Sequence, residues 1–221
     1  MIDTLNIIES VVMQNTTTEP QVFVSLTDWA TETERDDVPS PLVVLNISPT
    51  EPAYVSLFTD EGPAVTTHYL EGTDTSSGGY VHCLGQDCPA CAAQTSRKRF
   101  VLLPVADLTD ARIKILRVPS DKGPGKLLTE IVKVLGLPNR AEIITKINRK
   151  AYQYIVEAHR QDALSPDVAA AIKRFAEQLS ANVVDLRSVV AHMPASEMRQ
   201  HERIARRLEL EGPGPCHDSK E

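Results

Sequence analysis

Three cysteines fall close together in Tyr80-Val81-His82-Cys83-Leu84-Gly85-Gln86-Asp87-Cys88-Pro89-Ala90-Cys91. A Cys-x-x-Cys pair on a tight turn directs two thiolates at one tetrahedral ion, and Cys83 is near enough to supply a third. The fourth position is open to two histidines. His68 lies on a strand that would pair with the one ending at Cys83, across a hairpin running from Gly72 to Gly79. His82 is its rival, but neighbouring side chains on a strand point to opposite faces. A structural Zn2+ is the metal this donor set favours. The spacing Cys83-x4-Cys88-x2-Cys91 also matches a [2Fe–2S] pattern, which would need Cys216 as its fourth ligand. Unligated thiols are the remaining alternative.

No catalytic chemistry is expected. The chain holds no Gly-x-Ser-x-Gly elbow, Walker loop or Gly-x-Gly-x-x-Gly fingerprint. A deaminase-type zinc site is excluded as well, because Pro89 follows Cys88 instead of preceding it, and no His-x-Glu occurs around His68.

Elements of two kinds must position these groups. Strands are expected at Gln21 to Leu26, Leu42 to Ile47, Tyr54 to Phe58, Val65 to Leu70, Phe100 to Val105, Arg112 to Val118 and Ala151 to Ala158, each bounded by turn-forming residues. Short strands in this order imply a small barrel or sandwich. Lys126 to Leu135 reads as a helix, stopped by Gly136 and Pro138. Ser165-Pro166-Asp167 starts another, with Val168, Ile172, Phe175 and Leu179 on one face. Shorter helices are expected at Val183 to Ala191 and Ser196 to Leu210.

The 221 residues carry a net charge of −7, which by itself disfavours a polyanionic partner. Its distribution does not. Residues 1–96 hold one basic residue, Arg35, against fourteen acidic ones, whereas residues 97–160 hold fourteen basic against six acidic. That middle stretch can attract phosphates. No apolar run is long enough to span a bilayer. The acid in Met1-Ile2-Asp3 sits where a secretory signal would be basic, so reduced thiols in a cytoplasm are expected.

The order of His68 on a strand, Tyr80-Val81-His82-Cys83, then Cys88-Pro89-Ala90-Cys91 resembles the zinc-containing, helix-destabilising single-stranded DNA-binding proteins of T-even bacteriophages. The likeness continues through Arg97-Lys98-Arg99 into an apolar strand, the acidic turn Asp107 to Asp110 and the strand Ile113 to Val118. The resemblance implies His68, Cys83, Cys88 and Cys91 as zinc ligands, in a subdomain attached to an OB-fold. The expected fold is therefore α+β: an OB-fold-like β-barrel over 21–160 with a zinc-binding hairpin inserted at about 66–96. A segment 1–20 precedes it, C-terminal helices over 161–211 pack on the barrel, and a flexible tail covers 212–221.

The function implied is sequence-nonspecific binding of single-stranded DNA in replication or recombination, with replication or recombination proteins as partners, in a bacterial or phage-infected cytoplasm. A basic arm in Met1 to Pro20, which the family uses for filament formation, has no counterpart here. On physical grounds Arg97, Lys98, Arg99, Lys114, Arg117, Lys122, Lys126, Arg149 and Lys150 could track phosphates. Tyr152 and Tyr154 are expected to share a strand face as stacking platforms, with Tyr69, Tyr80 and Phe100 as weaker candidates. The alternatives are a zinc-ribbon protein-interaction module that does not touch nucleic acid, and a [2Fe–2S] electron carrier.

Overall fold

An apolar run from Phe100 to Ala106, almost wholly buried on both faces and preceded by Arg97-Lys98-Arg99, produces the longest strand of one mixed sheet. A computed structural model describes residues 42–72, 78–138, 143–160, 163–212 and 214. The segment 1–20, the expected strand Gln21 to Leu26, Cys216 and most of the tail lie outside the described residues. The strands are β1 (Val43–Val44), β2 (Ala53–Ser56), β3 (Ala64–Leu70), β4 (Gly79–His82), β5 (Arg97–Asp107), β6 (Arg112–Pro119), β7 (Ile143–Lys150) and β8 (Gln153–Arg160). The helices are α1 (Pro89–Ala92), α2 (Leu127–Leu135), α3 (Pro166–Ser180), α4 (Ala195–Gln200) and α5 (Glu202–Glu211). The class is α+β.

The sheet runs β1-β6-β5-β2-β7-β8, with β3 also on β5 and β4 on β3. One edge of β5 is shared: Arg97 to Val101 pair with β3, and Ala106 and Asp107 pair with β2. Between the two, the Leu102 N–H donates to the Pro63 carbonyl at 3.0 Å. Gly62 passes so close that a Cβ there would lie 2.2 Å from the Leu102 oxygen.

The expected barrel is not closed among the described residues. The far edge of β6 is taken in parallel by β1, through Val43↔Lys114 and Val44↔Ile115, and β8 pairs only with β7. α2 packs against both β8 and β6 and fills the gap between them. Its Leu127, Ile131 and Val134 join Val55, Leu103, Val105, Leu116 and Ile147 in the interior. A helix wedged between two strands replaces the pairing that would have sealed the ring.

α3 begins as its sequence dictates: the Ser165 hydroxyl accepts from the Val168 N–H at 3.4 Å, and Pro166 occupies the first turn. It lays Val168, Ala171 and Phe175 inward, and Phe175 meets Phe100, Leu102 and Ile115 on the outer face of β5 and β6. Leu179 is 40% exposed, so the apolar stripe expected there stops one turn early.

Other expectations need correction. β7 was not foreseen, although Ile143, Thr145 and Ile147 alternate with outward residues. The strand expected at Ala151 to Ala158 begins instead at Gln153, because Ala151 and Tyr152 form the turn between β7 and β8, with Ala151 at φ 54°. Of the helix expected at Val183 to Ala191 there is only a 3-10 turn, Leu186–Val189, after which Ala191 bridges to Val81. The helix expected over Ser196 to Leu210 breaks at His201, whose backbone is extended and whose Nε2 bonds the Glu71 carbonyl at 3.0 Å. No helix among the described residues is long and apolar enough to cross a membrane.

Candidate metal centre and adjoining groove

The hairpin of β3 and β4 presents two chemically different faces. His68 pairs with Val81 and Tyr69 with Tyr80, so alternation sends His68, Leu70 and Val81 to one side and Tyr69, Tyr80 and His82 to the other. Cys83 continues the first set, its N–H bonded to the Thr66 carbonyl at 2.9 Å. The chain then turns through Gly85–Asp87, with Gly85 at φ 84°, and Cys88 takes the position before α1. Pro89 opens that single turn, which brings Cys91 round to the same side as Cys88.

The ligand atoms of His68, Cys83, Cys88 and Cys91 all lie within 4.8 Å of one another, close enough to hold a metal ion. Cys83 Sγ is 3.5 Å from Cys91 Sγ, which is 3.4 Å from His68 Nε2. A tetrahedral ion with bonds of about 2.0 to 2.3 Å sets its ligand atoms roughly 3.5 to 3.8 Å apart, so the donor set fits. His68 is fully buried, and its Nδ1 donates to the Thr95 carbonyl at 3.2 Å. That bond fixes the tautomer that leaves Nε2 free to ligate. Burial pushes the Cys88 thiol up, but its hydrogen bond with His68 and those at the Leu84 and Cys91 backbone outweigh it and bring it down to about 6. The lowered value favours the thiolate, the form that binds metal.

His82 is not part of this group. Its Nε2 faces the Arg187 carbonyl at 3.1 Å, on the other side of the ribbon. Beneath the cysteines, Met198 and Ile204 of α4 and α5 are fully buried against Cys88, Ala90 and Cys91. Arg207 donates to the Ala93 and Gln94 carbonyls, satisfying the end of α1.

The second face of the ribbon borders a groove. Tyr80 stands edge-on to Tyr69 and to Phe100, with ring centroids 5.2 and 5.1 Å away, and the Arg117 guanidinium lies over it at 5.1 Å. Tyr80, Phe100, Arg117, Arg149 and Tyr154 line one cleft of about 250 Å³, with Asn46 at its rim. It adjoins a second of about 200 Å³ where Lys126 and Tyr152 join Arg149 and Tyr154.

Comparison with known proteins finds no matching family model, no similar curated protein and no similar solved structure.

The remaining basic residues named from sequence divide. Arg97, Lys98 and Arg99 alternate along β5, so Lys98 shares the Tyr80 side and the two arginines take the other. They do not form one continuous stripe. Lys114 lies away from the groove, its ammonium held at 2.7 Å by both Asp107 and Asp110. Lys122 and Lys150 are exposed, each beside a groove residue in sequence, Asp121 and Arg149. Tyr152 and Tyr154 do not share a strand face: Tyr152 is in the turn and 89% exposed, whereas Tyr154 packs partly on the interior. Sequence reasoning missed Asn46. Its signal was a polar residue between two buried ones, Leu45 and Ile47.

Proposed function

We propose that the protein binds single-stranded DNA in this groove without altering it chemically, and that a structural zinc on His68, Cys83, Cys88 and Cys91 holds one wall in place. The observation that carries the reading is the convergence of Tyr80, Phe100, Arg117, Arg149 and Tyr154 on one cleft. They come from separate strands and bring two cations together with three aromatic rings. Guanidiniums neutralise phosphates and release counterions, while aromatic faces stack on unpaired bases at about 1–3 kcal/mol each. Duplex is disfavoured because its bases are already stacked.

The strand order supports the same reading. We read β2, β5, β6, α2, β7 and β8 as the elements of an OB-fold in which the final pairing is unmade. In such folds the face of the second and third strands, with the loops after the first and fourth, receives oligonucleotides. Here those are β5 and β6, the metal-bearing insertion, and the turn at Ala151 and Tyr152. The likeness of the His68–Cys91 pattern to the T-even phage proteins points the same way.

Fluorescence anisotropy with a labelled oligonucleotide, run against salt for single strand and duplex, tests this. Preference for single strand with affinity falling as salt rises is the expected result. Equal affinity for duplex, or no salt dependence, overturns it.

A further inference from the structure

We infer that Tyr80 acts in the groove as the seat of Arg117 and not as a stacking surface: its ring holds that guanidinium at the cleft for a phosphate. This rests on the reading of the groove as a single-strand site and assigns a positioning residue within it.

Arg117 is half-buried and lines the cleft. Among the described residues it has no carboxylate partner, whereas Lys114, Lys133 and Lys146 are each held by one or two. A cation partly withdrawn from water without a counter-ion loses hydration that no opposite charge replaces. The Tyr80 ring offsets part of that loss, since the guanidinium lies over it at 5.1 Å, within reach of the negative face of the ring. What the ring does not supply is a full negative charge. A phosphate does.

The contact is not a by-product of strand pairing. Among the described residues β4 pairs only with β3, and β6 only with β5 and β1, so Tyr80 and Arg117 stand on strands that are not neighbours. Two other rings set the plane of Tyr80. Tyr69 and Phe100 are inclined to it at 64° and 79°, with centroids 5.2 and 5.1 Å away, and Phe100 is only 6% exposed. A ring held in this way does not turn freely, and the guanidinium already covers one of its faces. It differs in this from Tyr152, which is 89% exposed and open to a base.

The test is anisotropy of labelled oligothymidylate against salt, with the full chain. Tyr80→Leu should weaken binding about threefold to tenfold and lower the salt slope, as Arg117→Gln should by about 0.7. Tyr80→Phe, which keeps the ring, should restore both. In the Arg117→Gln background, Tyr80→Leu should add nothing further. Where thermal melting shows Tyr80→Leu to be unfolded, fluorinated phenylalanines in place of Tyr80 keep the ring's shape and weaken the negative charge on its face. Affinity should then fall stepwise with each fluorine, and only while Arg117 is present. A loss from Tyr80→Leu with unchanged slope, an equal loss with or without Arg117, or no response to fluorination overturns the inference and leaves single-strand binding standing. Failure of the parent chain to bind any single strand overturns both together.

Discussion

The Met198 thioether lies 3.8 Å from the Cys88 thiol, where the last helices meet the turn that carries the cysteines. Met198 is fully buried and 110 residues away in sequence. The cysteine-bearing turn is thus half of a small core whose other half is the C-terminal end of the described chain. Met198→Ala should cost about 2–5 kcal/mol through the cavity it leaves. Chelator-driven metal release, followed with a colorimetric indicator, should be faster in the variant; an unchanged rate would show that the two halves are not coupled.

One zinc per chain is the expected stoichiometry by elemental analysis. Substituting His68 or Cys91 by Ala removes a ligand from a buried set, so metal content should fall and the melting temperature with it. His82→Ala, whose ring faces the Arg187 carbonyl on the other side, should leave metal content unchanged. The reverse pattern would move the fourth ligand from His68 to His82.

Arg149→Ala and Tyr152→Ala should each weaken oligonucleotide binding, by separate routes. Loss of the guanidinium should reduce the salt slope by about 0.7, whereas loss of the ring should lower affinity by about 1–3 kcal/mol with little change in slope. Lys114→Ala should affect neither, since Asp107 and Asp110 already hold that ammonium. A large effect at Lys114 would place the binding surface on the wrong end of β6.

The Asp107–Lys114 pair predicts a pH dependence of stability. Burial pushes the Asp107 carboxyl up, but hydrogen bonds from Lys114 and Thr109 outweigh it and hold it below its ordinary range. The stabilisation is therefore present above the unfolded carboxylate value and is lost as pH falls through the folded one. Lys114 is raised, chiefly by its bonds to Asp107 and Asp110, so its share is present below the ordinary lysine range and lost as pH rises through the raised value. Asp107→Asn should cost on the order of 1 kcal/mol in urea denaturation at neutral pH. Its deficit should vanish in acid, where the parent carboxyl is protonated too.

Gly62→Ala should destabilise by about 1–3 kcal/mol, because the new methyl would meet backbone and not a side chain that can swing away. Thermal denaturation checks this. Metal content should be retained, as no ligand is displaced.

The convergence of His68, Cys83, Cys88 and Cys91 was legible because its signal is local: three cysteines on one short stretch, and a histidine whose partner follows from strand alternation. His82 could be set aside from His68 on parity alone. The groove was legible only as a list of residue types. That Arg117 reaches Tyr80, or that Lys114 is occupied by Asp107, depends on pairings between strands far apart in sequence. The break at His201 was hidden for a related reason, since its extended backbone goes with a bond to the distant Glu71 carbonyl. Closure of the barrel was the costliest error. β1 and α2 compete with β8 for the free side of β6, and nothing within the β6 sequence says which of them wins.

The ribbon of β3 and β4 has a consequence for how such a chain can change over time. Tyr80 faces the cleft and Val81 faces the cysteines, and every second position repeats that choice. Point substitutions on either side can accumulate independently. Adding or removing one residue between Tyr80 and Cys83, however, would swing the thiol away from His68. Length variation here is confined to even steps, and a lineage could vary the residues that line the cleft far more freely than the spacing that brings Cys83 to His68.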